Sequence, residues 1–181
     1  MARRNTLKDY NALTSEFKHA SDRAVGILGG AYVEEALLDA LLFWLGMDSV
    51  QDRGAGKAIE ELLGNGAPLG TFSNKIMLAE AVKLIGPRTR RDLDLLRKVR
   101  NHCAHSINPN QFADAPLSEW VSNLSPRALP IPHSTAYLPD RSQPRQRFEE
   151  CCHQLYDQFY NDDRASLAQD LGGDPYGFEL D

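Results

Sequence analysis

Residues 21–45 form a strongly helix-patterned segment of the chain, and this segment is apolar on most sides. Its apolar positions follow helical spacing: Val25, Leu28, Tyr32, Leu37, Leu38, Leu41, Leu42 and Leu45. A helix with apolar residues around much of its circumference is usually central in a bundle. We therefore expect a central helix whose start is capped by Ser21 or Asp22.

Three glycines, Gly26, Gly29 and Gly30, lie inside this segment. Each costs about 1 kcal/mol relative to alanine in a helix. Two explanations stay open: another backbone packs closely against this turn, or the helix breaks there. A dinucleotide-binding fingerprint is not expected, because the strand–turn–helix setting is missing.

The rest of the chain also favours helices and shows no strand-like alternation of useful length. Helices are predicted at 8–20, 57–63, 88–107 and 146–171, together with one that is capped by Thr71 or Ser73 and ends near residue 85. Residues 46–56 are predicted as a loop, and 112–144 as a proline-rich excursion with a short helix near 117–124. The acidic tail, 172–181, is expected to fray. The predicted fold is all-α: a bundle of five to six helices with a proline-rich excursion before the last helix. It is expected to form one domain, 1–181, with a core at 8–108 plus the last helix.

Composition limits the function classes. The net charge of −5 over 181 residues argues against a protein that coats nucleic acid non-specifically. Three cysteines, Cys103, Cys151 and Cys152, do not suggest a disulfide framework. With no secretory signal and no apolar run long enough to span a bilayer, we expect a cytoplasmic protein without a membrane segment.

The candidate functional motif is the run from Arg100 to His105, at the predicted end of a basic helix. Arg100, Asn101 and His105 supply a cation, an amide and an imidazole, which suits the binding and cleavage of a phosphodiester. On a regular helix Asn101 and His105 share a face, whereas Arg100 is about 140° away from His105. For both to meet one phosphate, the helix must loosen near His105 or a second subunit must complete the site.

Two segments together resemble the mannitol operon repressor family. Residues 67–76, with the turn Pro68-Leu69-Gly70, precede an amphipathic helix, and residues 96–105 match an Arg/Asn/His helix end. The second segment is also similar to the HEPN superfamily (higher eukaryotes and prokaryotes nucleotide-binding domain). The resemblance covers roughly 21–105. It implies a dimeric helical bundle in which two motifs face each other, with Glu34 and Glu35 on the long acidic helix opposite.

These implied functions differ. The repressor group is named for transcriptional regulation but lacks a clear DNA-reading helix-turn-helix, whereas many HEPN domains are metal-independent ribonucleases. The leading hypothesis is therefore a homodimeric regulatory module that acts through protein contacts. The alternative is an endoribonuclease in which His105 acts as acid or base and Arg100 stabilises the transition state. In that case Asn101 orients either the phosphate or His105. Direct DNA binding is not favoured.

A structural interpretation of the motif is equally open. In that case Asn101 and His105 bond helix-end carbonyls, and Arg100 pairs with Glu34, Glu35 or Asp39. The basic residues that precede the motif are either a solvated helix face or a contact for nucleic acid or a partner. Those chosen as contact candidates are Arg90, Arg91, Arg97 and Lys98. No cofactor is expected, and the spacing of His102, Cys103 and His105 matches no common zinc site.

Overall fold

The computed structural model describes residues 14–47, 53–64, 66–106, 111–125 and 143–160. Within these ranges the secondary structure is helical, and no β-strand is found. The helices are α1 (14–19), α2 (Asp22–Trp44), α3 (Arg53–Leu63), α4 (Phe72–Ala81), α5 (Pro87–His105), α6 (Leu117–Ser122) and α7 (Pro144–Phe159). The prediction of an all-α helical bundle is therefore confirmed. Among the described residues, no helix combines the length and the apolar character needed to cross a membrane.

The chain divides into two compact units. Of the described residues, the first unit holds those of Glu34–Asp94 together with 158–160. Its core contains Leu37, Leu41, Ile76, Leu84 and Leu93, all fully buried. Two polar contacts join its elements, since the Trp44 indole N–H donates to the Val82 carbonyl (2.9 Å) and the Tyr160 hydroxyl donates to Asp39 (2.8 Å).

The second unit holds the described residues of Asn5–Val33 and Leu95–Asp157. Large side chains fill its core: Phe17, Leu96, Phe112, Phe148, Leu155 and Tyr156. The Arg145 guanidinium joins three helices of this unit. It donates to Glu149 on α7, to Asp22 on α2 (both 2.8 Å), and to the carbonyls of Phe17 (2.6 Å) and Ala20 (3.0 Å) at the end of α1.

The ends of α2 and α4 follow from local chemistry. The Ser21 hydroxyl accepts the Ala24 N–H (3.3 Å), and the Thr71 hydroxyl accepts the Asn74 N–H (3.2 Å), as N-caps do. Helix α4 ends at Ala81, so its predicted end near residue 85 was wrong. The cause is a left-handed residue, Lys83 (φ 61°), which turns the chain out of the helix.

The loop predicted at 46–56 was wrong for its last four residues, because α3 begins at Arg53. The glycines of this stretch suggested a loop. Once a helix is nucleated, however, each added residue gains a backbone hydrogen bond, and Ala55 and Ala58 are strong helix formers.

Helix α7 begins at Pro144 rather than 146, because proline suits the first position of a helix, where no N–H is needed. The short helix near 117–124 is confirmed at Leu117–Ser122. Several predicted segments lie outside the described residues: 8–13, 107–110, 126–142, the extension of the last helix over 161–171, and the tail.

Candidate functional site

The motif lies on the last turns of α5, which remains α-helical through His105. Leu93, Leu96, Val99 and Cys103 are fully buried at helical spacing, so one side of the helix faces the protein interior as predicted. The Ser106 N–H bonds the His102 carbonyl (2.9 Å), which closes the final turn. The helix thus does not loosen before His105.

Glycines of α2 hold α5 at short range in the second unit. A β-carbon added at Gly26 would lie 2.5 Å from the Cys103 sulfur, and one at Gly30 would lie 2.6 Å from the Arg100 β-carbon. Gly29 likewise allows α7 to pack closely against α2, because a β-carbon added there would lie 2.8 Å from the Phe148 ring. The glycines therefore serve close packing inside an unbroken helix, although the packed atoms belong to side chains rather than to a backbone.

This packing separates Arg100 from His105. The stem of Arg100 lies along α2, since its β-, γ- and δ-carbons are all within 3.0 Å of a β-carbon built at Gly30. Side chains on a helix lean toward its N-terminus, so this stem leads away from the end where His105 lies. Within one chain, Arg100 and His105 lie on different sides of α5.

Four polar residues occupy the side of α5 away from the glycines: Lys98, Asn101, His102 and His105. We call these four residues the outer face. Their spacing of three, four and seven residues places them on one side of the helix, as the sequence predicted for Asn101 and His105. Lys98, Asn101 and His105 are exposed and His102 is half-buried.

The outer face contacts one aromatic residue. The Trp120 indole on α6 meets the His102 imidazole edge-on, with ring centroids 5.6 Å apart. Trp120 is itself only half-buried. Within the described residues, neither Asn101 nor His105 makes a side-chain hydrogen bond. The helix-end carbonyl of Ala104 instead accepts from the Arg23 guanidinium (3.4 Å).

The predicted contact residues divide between the two units. In the first unit, Arg90 donates to Asp94 (3.0 Å) and pairs with Glu80, and Arg91 is exposed. In the second unit, Lys98 is exposed and Arg97 is half-buried. The ion pairs of Arg90 reduce the positive charge that it can offer a partner.

The predicted acidic residues belong to the first unit. Glu34 accepts from the buried ammonium group of Lys75 at 2.8 Å, and Glu35 is exposed. Asp39, the other carboxylate considered for Arg100, accepts from Tyr160. The expected position of Glu34 and Glu35 opposite the motif stays a prediction.

The cysteines have environments that suppress reactivity. Burial raises the pKa of the Cys103 thiol to about 11 and raises that of Cys152 well above its usual value. A protonated thiol is a poor nucleophile and a poor metal ligand. Among the described residues, no group of three His, Cys, Asp or Glu side chains is placed to hold a metal ion.

Two residues of this site were not predicted from the sequence. Arg23 precedes Gly26 by three residues and Gly30 by seven, so its place on the α5-facing side of α2 could have been read from spacing. The position of Trp120 could not be inferred from residue spacing in the sequence. Its contact with His102 depends on the path of residues 111–116, which places α6 beside α5.

Comparison with known proteins gives one fold relationship. Models of protein families give no match to the chain, and neither do curated protein sequences. A solved chain of the MtlR–HPr complex from Escherichia coli matches with a TM-score of 0.64 and 22% identity, over 84% of this chain and 98% of that chain. The expected resemblance to the mannitol operon repressor family is thereby confirmed as fold: this chain has an MtlR-like helical fold.

Proposed function

We propose that this chain is a regulatory protein that acts by binding another protein. The observation that supports this is the fold it shares with nearly the full length of a chain from the MtlR–HPr complex. The surface chemistry is compatible, because a net charge of −5 disfavours binding along a polyanion such as DNA. Regulation of transcription would then proceed through protein contacts, in the cytoplasm.

The test uses Escherichia coli HPr as the probe. Isothermal titration of HPr into the purified full-length chain should give saturable one-site binding, and the two proteins should co-elute in size exclusion. A flat titration at 100 μM or so of each protein, which detects complexes well into the micromolar range, would contradict the proposal.

The proposed assembly is a homodimer. The 20.2 kDa chain should then elute with a light-scattering mass of about twice this value, and the value should fall on dilution if the dimer is weak. A mass of one chain at all concentrations would exclude the dimer but not the binding of a partner.

The alternative function is a HEPN-type, metal-independent endoribonuclease. The exposure of Asn101 and His105 on one side of α5 favours it, since a buried imidazole could not reach a polymer. Because Arg100 lies on another side of α5, this mechanism needs a second subunit to bring Arg100 to the phosphate beside the 2′-hydroxyl on which His105 acts. In that site His105 would act as acid or base on the ribose 2′-hydroxyl, and Asn101 would orient either the phosphate or His105.

This alternative is tested by incubating the chain with mixed cellular RNA in EDTA. Cleavage by the wild type but not by His105→Ala, with matched melting curves, would support the ribonuclease. Intact RNA with both proteins would exclude it.

A further inference from the structure

The sulfur atoms of the chain divide between surface and core by residue type. All three cysteines are buried and form no disulfide. Met47 and Met77, by contrast, are 38% and 48% exposed, although methionine is among the residue types most often buried completely. The third methionine, Met1, lies outside the described residues. A dissolved reagent can therefore reach these two thioethers, whereas the folded protein shields the thiols.

Burial also removes the usual chemical advantage of cysteine over methionine. An oxidant attacks the thiolate rather than the thiol, and burial raises the pKa of the Cys103 thiol to about 11 and that of Cys152 well above its usual value. Cys151 is only 4% exposed. In an unfolded chain the cysteines should react first, because a free thiol with a pKa of about 8.5 is partly ionised at neutral pH. Folding reverses this order.

A thioether, unlike a thiol, needs no ionisation before it is oxidised. Its sulfur lone pair attacks one oxygen of a peroxide, the O–O bond breaks and an S–O bond forms. With hydrogen peroxide, the proton on the attacked oxygen passes to the departing hydroxide, which leaves as water. The sulfur loses two electrons and the peroxide gains them. Since no proton has to leave the sulfur first, exposure decides the rate at each methionine.

Oxidation of these methionines would change the surface of the first unit. Among the described residues, the exposed large apolar side chains are Met47, Leu62 and Met77, and all three belong to this unit. A sulfoxide is polar, so two of the three side chains would no longer be apolar. Because neither methionine is part of the buried core, the fold should survive the change.

We propose that Met47 and Met77 are peroxide-sensitive modification sites, which are oxidised reversibly to methionine sulfoxide before any of the cysteines reacts. The co-reactant is a peroxide, and methionine sulfoxide reductases of both epimer specificities reverse the step. Oxidation makes the surface of the first unit more polar while the protein stays folded. This inference is independent of the proposed function.

The experiment treats the full-length protein with hydrogen peroxide at pH 7, both native and in urea, and follows each sulfur by mass spectrometry. The two methionines lie on different tryptic peptides, 24–53 and 76–83, and the cysteines lie on others. Both methionine peptides of the native protein should gain one oxygen, about 16 Da, at rates within about threefold of those in urea. The native cysteines should be oxidised at least about 30-fold more slowly than in urea.

Leu84→Met is the matched buried control. Leu84 is fully buried in the same unit, and exchange of leucine for methionine nearly conserves volume, so this new thioether should react at least about tenfold more slowly than Met77. Met77→Leu should abolish oxidation of peptide 76–83 and leave the rate at Met47 unchanged.

The consequence for the surface is measured separately. The oxidised wild type should elute earlier from a hydrophobic-interaction column, and its melting temperature should stay within about 2 °C of the untreated protein. Treatment with the reductases should restore both the mass and the retention.

Three outcomes would overturn the proposal. One is protection of the native methionines as strong as that of the thiols, and another is cysteine oxidation that keeps pace with Met77. Equal rates at Met77 and at the methionine of Leu84→Met would show that exposure does not select the site. A melting temperature lowered by more than about 5 °C would contradict the surface effect, since oxidation would then act by loosening the fold.

Discussion

Lys83 occupies the position after α4 where glycine is the usual residue. Its N–H bonds the Glu80 carbonyl (3.1 Å) and the Leu84 N–H bonds the Ala79 carbonyl (2.9 Å), the two bonds of a Schellman motif. A β-carbon in the left-handed conformation costs about 1–2 kcal/mol, so Lys83 is held there by the buried residues around it.

Lys83→Gly should therefore raise the free energy of unfolding by about 0.5–1 kcal/mol, because glycine removes the steric cost but adds chain entropy. Urea denaturation measures the change. Lys83→Ala keeps a β-carbon and is the matched control, which should remain near wild type. Equal gains from both substitutions would show that the lysine side chain, not the backbone, carries the effect.

His153 is a second residue whose environment affects the free energy of unfolding, in this case through the pH. It lies on α7, where its ring meets Phe17 edge-on at 5.4 Å. Burial lowers the pKa of His153 to about 4, so the imidazole is neutral in the folded protein near pH 7. The unfolded chain takes up a proton near pH 6.5, before the folded chain does.

The free energy of unfolding should consequently fall as the pH is lowered from 6.5 toward 4. Below about pH 4, His153 should cause no further loss of stability. The contribution at pH 5 is about 2 kcal/mol relative to pH 7. Denaturation of wild type and His153→Gln at both pH values isolates the effect from other titrating groups. The variant should lose less stability than the wild type; identical losses would mean that His153 is accessible to protons in the folded state.

At the level of elements, the glycine side of α2 sets how closely α5 can approach. Gly26→Ala would place its new carbon 2.5 Å from the Cys103 sulfur, and Cys103 is fully buried and short, so it cannot move aside. The unfolding free energy should drop by about 1–3 kcal/mol, the usual cost of overpacking.

Gly56→Ala is the matched control for this substitution, because nothing lies within 4 Å of a β-carbon at that position on α3. It should stabilise the protein by about 0.5–1 kcal/mol through helix propensity. Adding Cys103→Ala to Gly26→Ala should recover part of the loss. A Gly26→Ala protein as stable as wild type would contradict the close contact.

Arg145 is the connection between α1, α2 and α7 in the second unit. Burial disfavours its charged form, yet its hydrogen bonds to Glu149 and Asp22 outweigh this and raise the pKa of the guanidinium. Arg145→Lys keeps the charge but cannot reproduce a fork of four bonds, so it should cost about 1–3 kcal/mol of stability.

Arg147→Lys, on the same helix, is the control. Within the described part of the chain, the Arg147 guanidinium donates one bond, to the Leu124 carbonyl (2.6 Å), so its replacement should cost less than about 1 kcal/mol. Thermal or urea unfolding of the two variants gives the comparison. If Arg145→Lys and Arg147→Lys are equally stable, the charge of Arg145 matters more than its geometry.

For the whole molecule, the helical class and the buried side of α5 were predictable, because apolar residues at a period of 3.6 mark the side that faces a core. The separation of Arg100 from His105 was also predictable, since helical geometry alone places them about 140° apart. The caps at Ser21 and Thr71 follow from the same local rules.

What could not be predicted depends on contacts distant in sequence. The boundaries between the two units fall inside α2, α5 and α7, after Val33, Asp94 and Asp157, where the sequence is continuously helical and carries no linker composition. Trp120 reaches His102 only through the path of the chain between α5 and α6. Local patterns in a single sequence do not reveal the path that a connecting segment takes between two helices.

Because the three cysteines are buried, the rate at which their thiols react can measure how often the folded chain opens. All three cysteines are buried and form no disulfide: Cys103 packs against α2, and Cys151 and Cys152 lie on α7. A colourless aromatic disulfide reagent should therefore stay unreacted with the native protein and release its dye only as often as the second unit opens. Gly26→Ala should speed that release while Gly56→Ala should not; immediate reaction of the wild type would show that the thiols are reached without opening.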